Sequence, residues 1–376
     1  MNEYINNPEG HKNIAYTLSL LSAVINGKSP VEPDFEPDWE FIYRFTKRHN
    51  VDNTAFYAVE QLKNKPEPQL YKKWMNIRNK CIHRNMIQRQ EYAEICSAFE
   101  ENSIDYMPVK GFYLGELYPI EDSRYMGDLD ILVKDRRDDA VQLLTDRGYS
   151  TKKNSVDYDK PLIKPPFMVV ELHNNLFPQH SPYRAYFDDV FSKSAQNGHC
   201  FKMNPEDFYI YELVHLYKHF SGGGAGIRSV ADFYLINKKL LPDMDADKIK
   251  TQLEKLELND FSDEIASLAK KWFKNEDFSD FTESEIYVIN SGTYGTDENK
   301  IVNQIGDNTK SEYLKFRFLP PKELMYEIFP RLNKHPYLLP FYYILRFFRG
   351  FFKKRKNLKE EYKILKLKSA EKNRRE

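Results

Sequence analysis

The spacing of hydrophobic positions along the chain changes twice, and the changes separate helical regions from a mixed one. In residues 1–104, apolar residues recur at helical spacing. The segment DWEFIYRFTKRHNV predicts a helix whose first turn is capped by Asp38. The stretch YKKWMNIRNKCIHRNMIQRQEYAEICSAFEEN predicts one long helix that ends near Asn102. Its apolar stripe is expected at Trp74, Ile77, Cys81 and Ile82.

In residues 105–200 the pattern changes to short apolar runs that are separated by turn residues. IDYMPVKG predicts a strand that ends at Gly111, FYLGELYP a short helix, and GDLDILV a second strand. RRDDAVQLLTDRGY predicts an amphipathic helix that stops at Gly148, and PFMVVELHNNL a third strand. This alternation of strands and helices indicates a small α/β unit.

Helical spacing returns in residues 201–275, where EDFYIYELVHLYKHF, IRSVADFYLINKKLL and DADKIKTQLEKLELNDFSDEIASLAKKWF each predict helix. SGGGAG, between the first two, predicts a flexible interhelical loop. Residues 276–376 are mixed and end in a basic, aromatic tail. The expected fold class is α+β, with a small mixed sheet between helical regions. The expected divisions are 1–104, 105–200, 201–275 and 276–376.

Composition narrows the class of protein but names no partner. The chain has 376 residues, of which 41% are hydrophobic and 30% charged, with no net charge, which is ordinary for a soluble globular protein. The three cysteines are widely spaced and indicate a reducing compartment. Because no run of about 18 apolar residues occurs and the polar N-terminus is unlike a signal peptide, we expect a cytoplasmic protein.

The segment GDLDILV places two carboxylates, Asp128 and Asp130, one residue apart in a run that otherwise resembles a buried strand. Strand side chains alternate between faces, so both carboxylates point one way while Leu129 and Ile131 point into a core. Like charges on one face repel each other unless a cation lies between them. The pair therefore predicts a metal site. The alternative is a solvated strand face.

Three segments resemble the nucleotidyltransferase superfamily, which has a polymerase-β-like core: VKGFYLGELYP, SRYMGDLDILV and VVELH. The flanking segments DWEFIYRFTKRHNV and HLYKHFSGGGAGIRSVADFYLI extend the resemblance to roughly residues 38–275, and it is strongest to the bacterial uncharacterised nucleotidyltransferases. The superfamily pattern is a strand ending in Gly-Gly or Gly-Ser at a helix start, then a D-x-D strand, then a later carboxylate. Lys110-Gly111 replaces the glycine pair, as the resemblance implies for the uncharacterised group.

The resemblance implies that Asp128, Asp130 and Glu171 are catalytic and hold two Mg²⁺ ions, with Mn²⁺ as an alternative. Two divalent ions about 3.5–4 Å apart stabilise both the attacking and the leaving oxygens of a phosphoryl group. Mg²⁺ takes hard oxygen ligands, usually a few carboxylates together with phosphates. Glu171 would also orient or deprotonate the acceptor hydroxyl.

Nucleotide binding is expected at the turn before the short helix. Gly111 would offer backbone N–H groups to phosphate oxygens, and Lys110 and Arg124 would add positive charge. Arg124 has a structural alternative, because it could instead pair with Asp122 or Glu121.

The resemblance implies that three residues of the helical domain line the cleft, His219, Arg228 and Asp232, and His173 is a fourth candidate. His173 follows Glu171 on the same strand face and either orients a ligand or is a satisfied histidine. His215 and His219 are four residues apart on one helix face, which is the spacing of a metal pair. Because no third ligand is nearby in the sequence, we expect that face to pack on the core.

Residues 341–376 hold 13 Lys/Arg against 4 Asp/Glu, so the rest of the chain has a net charge of −9. Phe341, Ile344 and Phe348 recur at helical spacing between basic residues. The tail could be a last helix docked on its domain or a helix on anionic lipid at the inner face of the membrane. It could also bind RNA through stacking and phosphate contacts.

These observations predict an enzyme that moves a nucleoside monophosphate from an NTP to a hydroxyl and releases pyrophosphate. The acceptor could be a small molecule, a sugar or a protein side chain. One alternative is a toxin-like nucleotidyltransferase that acts on tRNA. Another is a catalytically silent nucleotide-binding or scaffold protein.

Overall fold

A computed structural model of the chain describes residues 5, 7–151, 161–179, 181–293, 295, 296, 299, 303, 319–329 and 331–353. Within these residues the fold is α+β, as the sequence predicts: a mixed sheet lies between helical segments that precede and follow it in the chain. The fourfold division of the chain stays a prediction. Helices from before and after the sheet nevertheless share one hydrophobic core, in which Ile42 and Trp74 pack with Leu235 and Trp272.

The N-terminal helices follow the predicted periodicity. They are α1 (Pro8–Asn26), α2 (Trp39–Arg48), α3 (Asp52–Val59) and α4 (Pro68–Glu101). The predicted cap of α2 is confirmed, because the Asp38 carboxylate accepts a hydrogen bond from the Phe41 N–H at 2.9 Å. In α4, Trp74 is the only member of the predicted stripe that is fully buried, and Ile95 and Phe99 bury the end of the helix against the sheet.

Seven short strands of the described chain form one sheet in the order β3-β4-β5-β2-β1-β7-β6. The strands are β1 (Tyr106–Val109), β2 (Leu129–Val133), β3 (Ser150–Thr151), β4 (Leu162–Lys164), β5 (Met168–His173), β6 (Ala195–Asn197) and β7 (Cys200–Lys202). The two central pairs differ in direction, since β1 runs antiparallel to β2 and β5 runs parallel to it. Helices α5 (Gly111–Glu116), α6 (Arg137–Asp146) and α7 (Arg184–Phe187) connect the strands.

The central strand β2 is buried on both faces. Leu129 and Ile131 face a core with Leu144 of α6, as predicted. On the other face, Leu132 packs with Leu213 and residues of the following helices. The interpretation of this second face as a solvated strand surface is therefore wrong, because helices cover it.

Helical structure resumes after β7, as predicted. The helices are α8 (Pro205–Gly222), α9 (Ile227–Lys239), α10 (Ala246–Lys255), α11 (Asn259–Lys270) and α12 (Glu283–Ser291). One expected helical stretch is divided: α10 and α11 are separate because Glu257 adopts a left-handed backbone with φ of 57°. A single π-helical turn, Lys271–Asn275, follows α11.

The glycine-rich loop between α8 and α9 is buried rather than open. Its residues Gly223–Gly226 pack against the segment that follows α12, and the Thr296 N–H donates to the Gly223 carbonyl at 3.0 Å. Gly224 has a φ of 121°, and a Cβ there would overlap the Ser291 hydroxyl. Glycine is required at Gly224 for both reasons.

The last described helices are α13 (Lys322–Ile328), α14 (Arg331–Lys334) and α15 (Leu339–Lys353). They pack around Met325, Phe329 and Leu332, while Phe341 and Ile344 of α15 are 61% and 57% exposed. The basic end of the predicted tail, residues 354–376, lies outside the described residues. No described helix combines the length and the apolar character that a membrane span needs.

Candidate active site

The floor of the site is the pairing of β2 with β5. The parallel register places Asp130 beside Glu171 and Leu132 beside His173. Side chains two residues apart on a strand share a face, so Glu171 and His173 point the same way. Asp130, Glu171 and His173 each bring one ligand atom to within 4.8 Å of the others. The structure therefore brings together two of the three predicted carboxylates, and it adds an imidazole.

Asp130 is the most enclosed member of this cluster. It is 5% exposed, and its Oδ1 lies 3.2 Å from the Lys110 Nζ and 3.0 Å from the His173 Nε2. Burial alone would raise the pKa of Asp130, but the hydrogen bond with His173 and the charge of Lys110 bring it below its ordinary value. The carboxyl is therefore ionised at neutral pH.

Asp128 lies one residue before the start of β2 and is exposed at the mouth of the same cavity. Partial removal of its carboxyl from water, together with the negative charge of Asp130, raises the pKa of Asp128. The side chain is not among the three whose ligand atoms converge within 4.8 Å in the described chain. Its predicted role as a metal ligand stays a prediction.

Lys110 occupies the turn between β1 and α5, with a φ of 57° that few non-glycine residues adopt. Burial alone would lower the pKa of Lys110. Its neighbours Tyr211, Asp130 and Glu212 outweigh that effect and raise it above its ordinary value. A permanent positive charge thus lies beside the carboxylate cluster. Gly111, which follows, starts α5, and a Cβ there would lie 3.3 Å from Met126.

Arg124 has a different partner from the neighbouring acids that the sequence offered. Its Nε and Nη2 donate to the two oxygens of Asp232 at 2.7 and 2.9 Å, and its Nη1 donates to the Gly111 carbonyl at 3.3 Å. Both Arg124 and Asp232 are buried. This bidentate pair joins the segment before β2 to α9 and holds the Gly111 turn against them. Binding of triphosphate by Arg124 stays a prediction.

Helices α8 and α9 form the opposite wall of a cavity of about 270 Å³ above the cluster. Every residue that the sequence analysis placed at the site lines this cavity except His173, which is hydrogen-bonded to the lining residue Asp130. Its polar lining comprises Lys110, Arg124, Asp128, Asp130, Glu171, Glu212, His215, His219, Arg228, Ser229, Asp232 and Thr293. The Arg228 Nη1 donates to the Tyr125 carbonyl at 3.2 Å, which fixes that side chain at the rim.

The histidine pair of α8 faces the cavity rather than the core, so the expected packing of that helix face is wrong. The Nε2 atoms of His215 and His219 lie 2.9 Å apart. Burial, with the charge of Lys110, lowers the pKa of His219 to about 4 and also lowers that of His215. Both rings are therefore neutral near pH 7, and one can donate to the other. In the described chain, no third side chain completes a metal site with this pair.

Glu212 is the residue that the sequence analysis missed. It is 9% exposed, lines the cavity from α8, and has an Oε1 with no hydrogen-bond partner among the described residues. Burial raises the pKa of Glu212 to about 8; Asp232 and Asp130 add to the rise, and Lys110 and Arg124 oppose it. The available signal was an acid in the middle of an apolar run on the buried side of an amphipathic helix, whereas the other buried acid, Asp207, lies in the first turn.

An unpaired buried carboxyl oxygen costs about 1–3 kcal/mol relative to a satisfied one. Such a group in a polar cleft is typical of a site that a ligand completes. The arrangement combines an ionised Asp130, a fixed cation at Lys110 and a buried carboxyl, Glu212, whose pKa is raised to about 8.

A family model described as "Uncharacterised nucleotidyltransferase" matches residues 36–274, close to the limits that the sequence resemblance suggested. No curated protein and no solved structure matches the chain. The matched region contains the whole sheet, the carboxylate cluster and the helices α8 and α9 that cover it.

Proposed function

Because this chain belongs to the uncharacterised nucleotidyltransferase family, we propose that it moves a nucleoside monophosphate from an NTP to a hydroxyl of an acceptor, with release of pyrophosphate. Its general class, nucleotidyltransferase, follows from the family. The observation that supports the detailed proposal is the convergence of Asp130, Glu171 and His173 within 4.8 Å on the floor of a cleft.

The donor set fits a divalent cation. Two carboxylates suit Mg²⁺, and the imidazole of His173 makes Mn²⁺ an equally suitable ion. Asp130 and Glu171 would hold the ion, with Asp128 at the mouth available for a second one. When bound, such ions neutralise the negative charge that develops on phosphoryl oxygens during transfer.

The remaining charges of the cleft have separate tasks in this proposal. Lys110 stays cationic beside Asp130, so it would bind the triphosphate as a point charge. Arg228 projects from α9 into the same cavity and would add a second charge. Arg124, through Asp232, would hold the Gly111 turn in place for phosphate.

The test follows the label of the transferred nucleotide. Each of the four α-³²P-labelled NTPs is incubated with the full chain, Mg²⁺ or Mn²⁺, and separate small-molecule, RNA and protein fractions of a cell extract. We expect pyrophosphate release and label in the small-molecule or protein fraction. Asp130→Asn removes a cation ligand and should lower the rate at least about 100-fold, since several kcal/mol of charge stabilisation are lost.

The matched control is Asp135→Asn, which removes an exposed carboxylate two residues beyond the end of β2. This variant should transfer at the wild-type rate. Equal transfer by Asp130→Asn and wild type would refute the proposed role of the cluster. Label in the RNA fraction would support the tRNA alternative, and NTP binding without any pyrophosphate release would support a silent nucleotide-binding protein.

Contact of residues 341–376 with lipid or RNA is a separate prediction. The supporting observation is that α15 exposes Phe341 and Ile344 beside basic residues. Sedimentation with phosphatidylserine vesicles and gel-shift titration with tRNA distinguish the two partners from a helix docked on its own domain. A variant with both apolar residues changed to Gln is the control, because it loses the apolar contact with vesicles without any change of charge.

A further inference from the structure

Glu212 has no task in the proposed function so far, although it is the most unusual polar group in the cleft. It lies on α8, whereas Asp130 and Glu171 lie on the sheet that forms the opposite wall. Its side chain is nine-tenths buried, and its Oε1 lacks a hydrogen-bond partner among the described residues. A purely structural carboxyl at this depth would be satisfied by its neighbours.

The charged neighbours of Glu212 do not satisfy it because each is engaged elsewhere. Lys110 donates to Asp130 at 3.2 Å, and Arg124 donates to both oxygens of Asp232. The Glu212 carboxyl therefore lies near Lys110, which is bound to Asp130, and near the structural ion pair of Arg124 with Asp232. The Oε1 of Glu212 accepts no hydrogen bond from the described residues, and a substrate bound in the cavity could donate one to it.

We propose that Glu212 binds the attacking hydroxyl of the acceptor through Oε1 and takes its proton during transfer. This inference rests on the proposed function and adds to it the residue that activates the acceptor. In this proposal Glu212 takes the step that the sequence analysis assigned to Glu171, because Glu171 lies within the proposed cation cluster while Glu212 lies on the wall across from it.

The step balances as follows. The acceptor O–H bond breaks, and its proton passes to the Glu212 carboxylate. The acceptor oxygen forms a bond to the α-phosphorus as the bond from that phosphorus to the bridging oxygen breaks. Pyrophosphate leaves with the electron pair, and Glu212 then returns the proton to solvent. No oxidant, reductant or further reactant is needed.

The electrostatics of the cleft suit this division of roles. Asp130, with its lowered pKa, stays ionised, while burial raises the pKa of Glu212 to about 8. A lowered pKa suits a carboxylate that binds a cation, and a pKa close to the working pH suits a carboxyl that takes and releases a proton. The charged groups that set the pKa of Glu212 come from four elements: Lys110 in the turn after β1, Asp130 on β2, Arg124 before β2 and Asp232 on α9.

The test is Glu212→Gln, which keeps the shape of the side chain but cannot take a proton. With the labelled NTP and the fraction that the wild type labels, the single-turnover rate should fall about 10²-fold or more, as expected for loss of a general base. NTP affinity should be unchanged. The control on the same helix is Glu206→Gln, because Glu206 pairs with Lys248 at 3.1 Å outside the cavity.

A pH profile separates proton transfer from a structural role. For wild type, kcat/KM should rise about tenfold per pH unit and level off near pH 8, because the active form is the ionised carboxylate. Glu212→Gln should lose this rising limb. Glu212→Asp, which keeps the acid but shortens it by one methylene, should be slow yet keep the limb, and it serves if the Gln variant does not fold.

The outcomes of the experiment are distinct. If wild type transfers the nucleotide and Glu212→Gln is equally fast or keeps the same rising pH limb, this inference is overturned. The proposed function is then unaffected. Absence of label from every fraction with wild-type protein overturns the proposed function and this inference with it. Slow transfer, normal NTP binding and a flat pH profile in Glu212→Gln together support the proposal.

Discussion

The buried ion pair between Arg124 and Asp232 provides a sharp test of how the site is held together. Asp232 accepts from the Arg124 Nε at 2.7 Å, from its Nη2 at 2.9 Å and from the Tyr118 hydroxyl at 2.8 Å. Asp232→Ala removes all three acceptor contacts and leaves a buried guanidinium without its counter-charge. Loss of one partner of such a pair costs about 3–5 kcal/mol.

The loss of stability in Asp232→Ala comes from the unpaired Arg124 charge, so two comparison variants test that cause. Replacing both residues, as Arg124→Met with Asp232→Leu, leaves no unpaired charge but leaves the buried Tyr118 hydroxyl without its acceptor. The double variant should therefore lose about 1–3 kcal/mol of the free energy of unfolding, which is less than the single variant loses. Lys248→Ala provides the surface control. Lys248 pairs with Glu206 at 3.1 Å, but its side chain is 42% exposed, so its loss should cost about 0–1 kcal/mol.

The assay is urea unfolding at pH 7.5, followed by tryptophan fluorescence and by circular dichroism. Linear extrapolation gives the free energy of unfolding, provided that the two probes report the same transition. A loss below about 1 kcal/mol in Asp232→Ala, or a double variant as unstable as the single one, would contradict the argument that Arg124 depends on this partner.

Three further predictions follow from other contacts. Lys110→Met should weaken binding of a non-hydrolysable NTP analogue about tenfold or more in calorimetry, since a charge-assisted contact is lost, whereas exposed Lys134→Met should not. Burial, with the charge of Arg48, lowers the pKa of His49 to about 3, so at this position the unfolded chain binds more protons below pH 6.5. The change in the free energy of unfolding between pH 7.5 and 5.5 should therefore be less favourable in wild type than in His49→Gln by about 1.4 kcal/mol, measured by urea unfolding at both pH values. Gly224→Ala should lower the melting temperature, because the residue would be strained and would overlap Ser291, whereas Gly115→Ala in open space should not.

Local patterns in the sequence predict the long helices and the three strands that carry the site. The cap at Asp38 and the apolar run around Asp130 are visible within a few residues, and periodicity is enough to find them. Strands β3, β4, β6 and β7 have only two or three residues each, which is too short for any period to appear. Helix α10 ends at Lys255 rather than continuing, because Glu257 adopts a left-handed backbone that its residue type does not announce.

The site was predictable where neighbours in sequence are neighbours in space. Lys110 and Asp130 could be placed beside each other because a short turn and one strand hold them. The pairing of Arg124 with Asp232 spans 108 positions, and nothing in either local segment indicates it. Glu212 lies on a helix that the pattern described correctly, but its surroundings come from the sheet and from α9. The raised pKa of Glu212 therefore arises from residues that are distant in the sequence, and the local pattern could not predict it.

The register between β2 and β5 constrains chain length as well as residue identity. Asp130 meets Glu171 because Leu129 is aligned with Val170. Deletion of one residue just before Met168 would shift β5 by one position, so that Glu171 points to the opposite face and an aliphatic side chain lies beside Asp130. Deletion of two residues would keep the alternation of side chains between the two faces. The number of residues ahead of this strand is thus constrained to change in steps of two, and a library of one- and two-residue deletions there should show alternating loss and retention of cation binding.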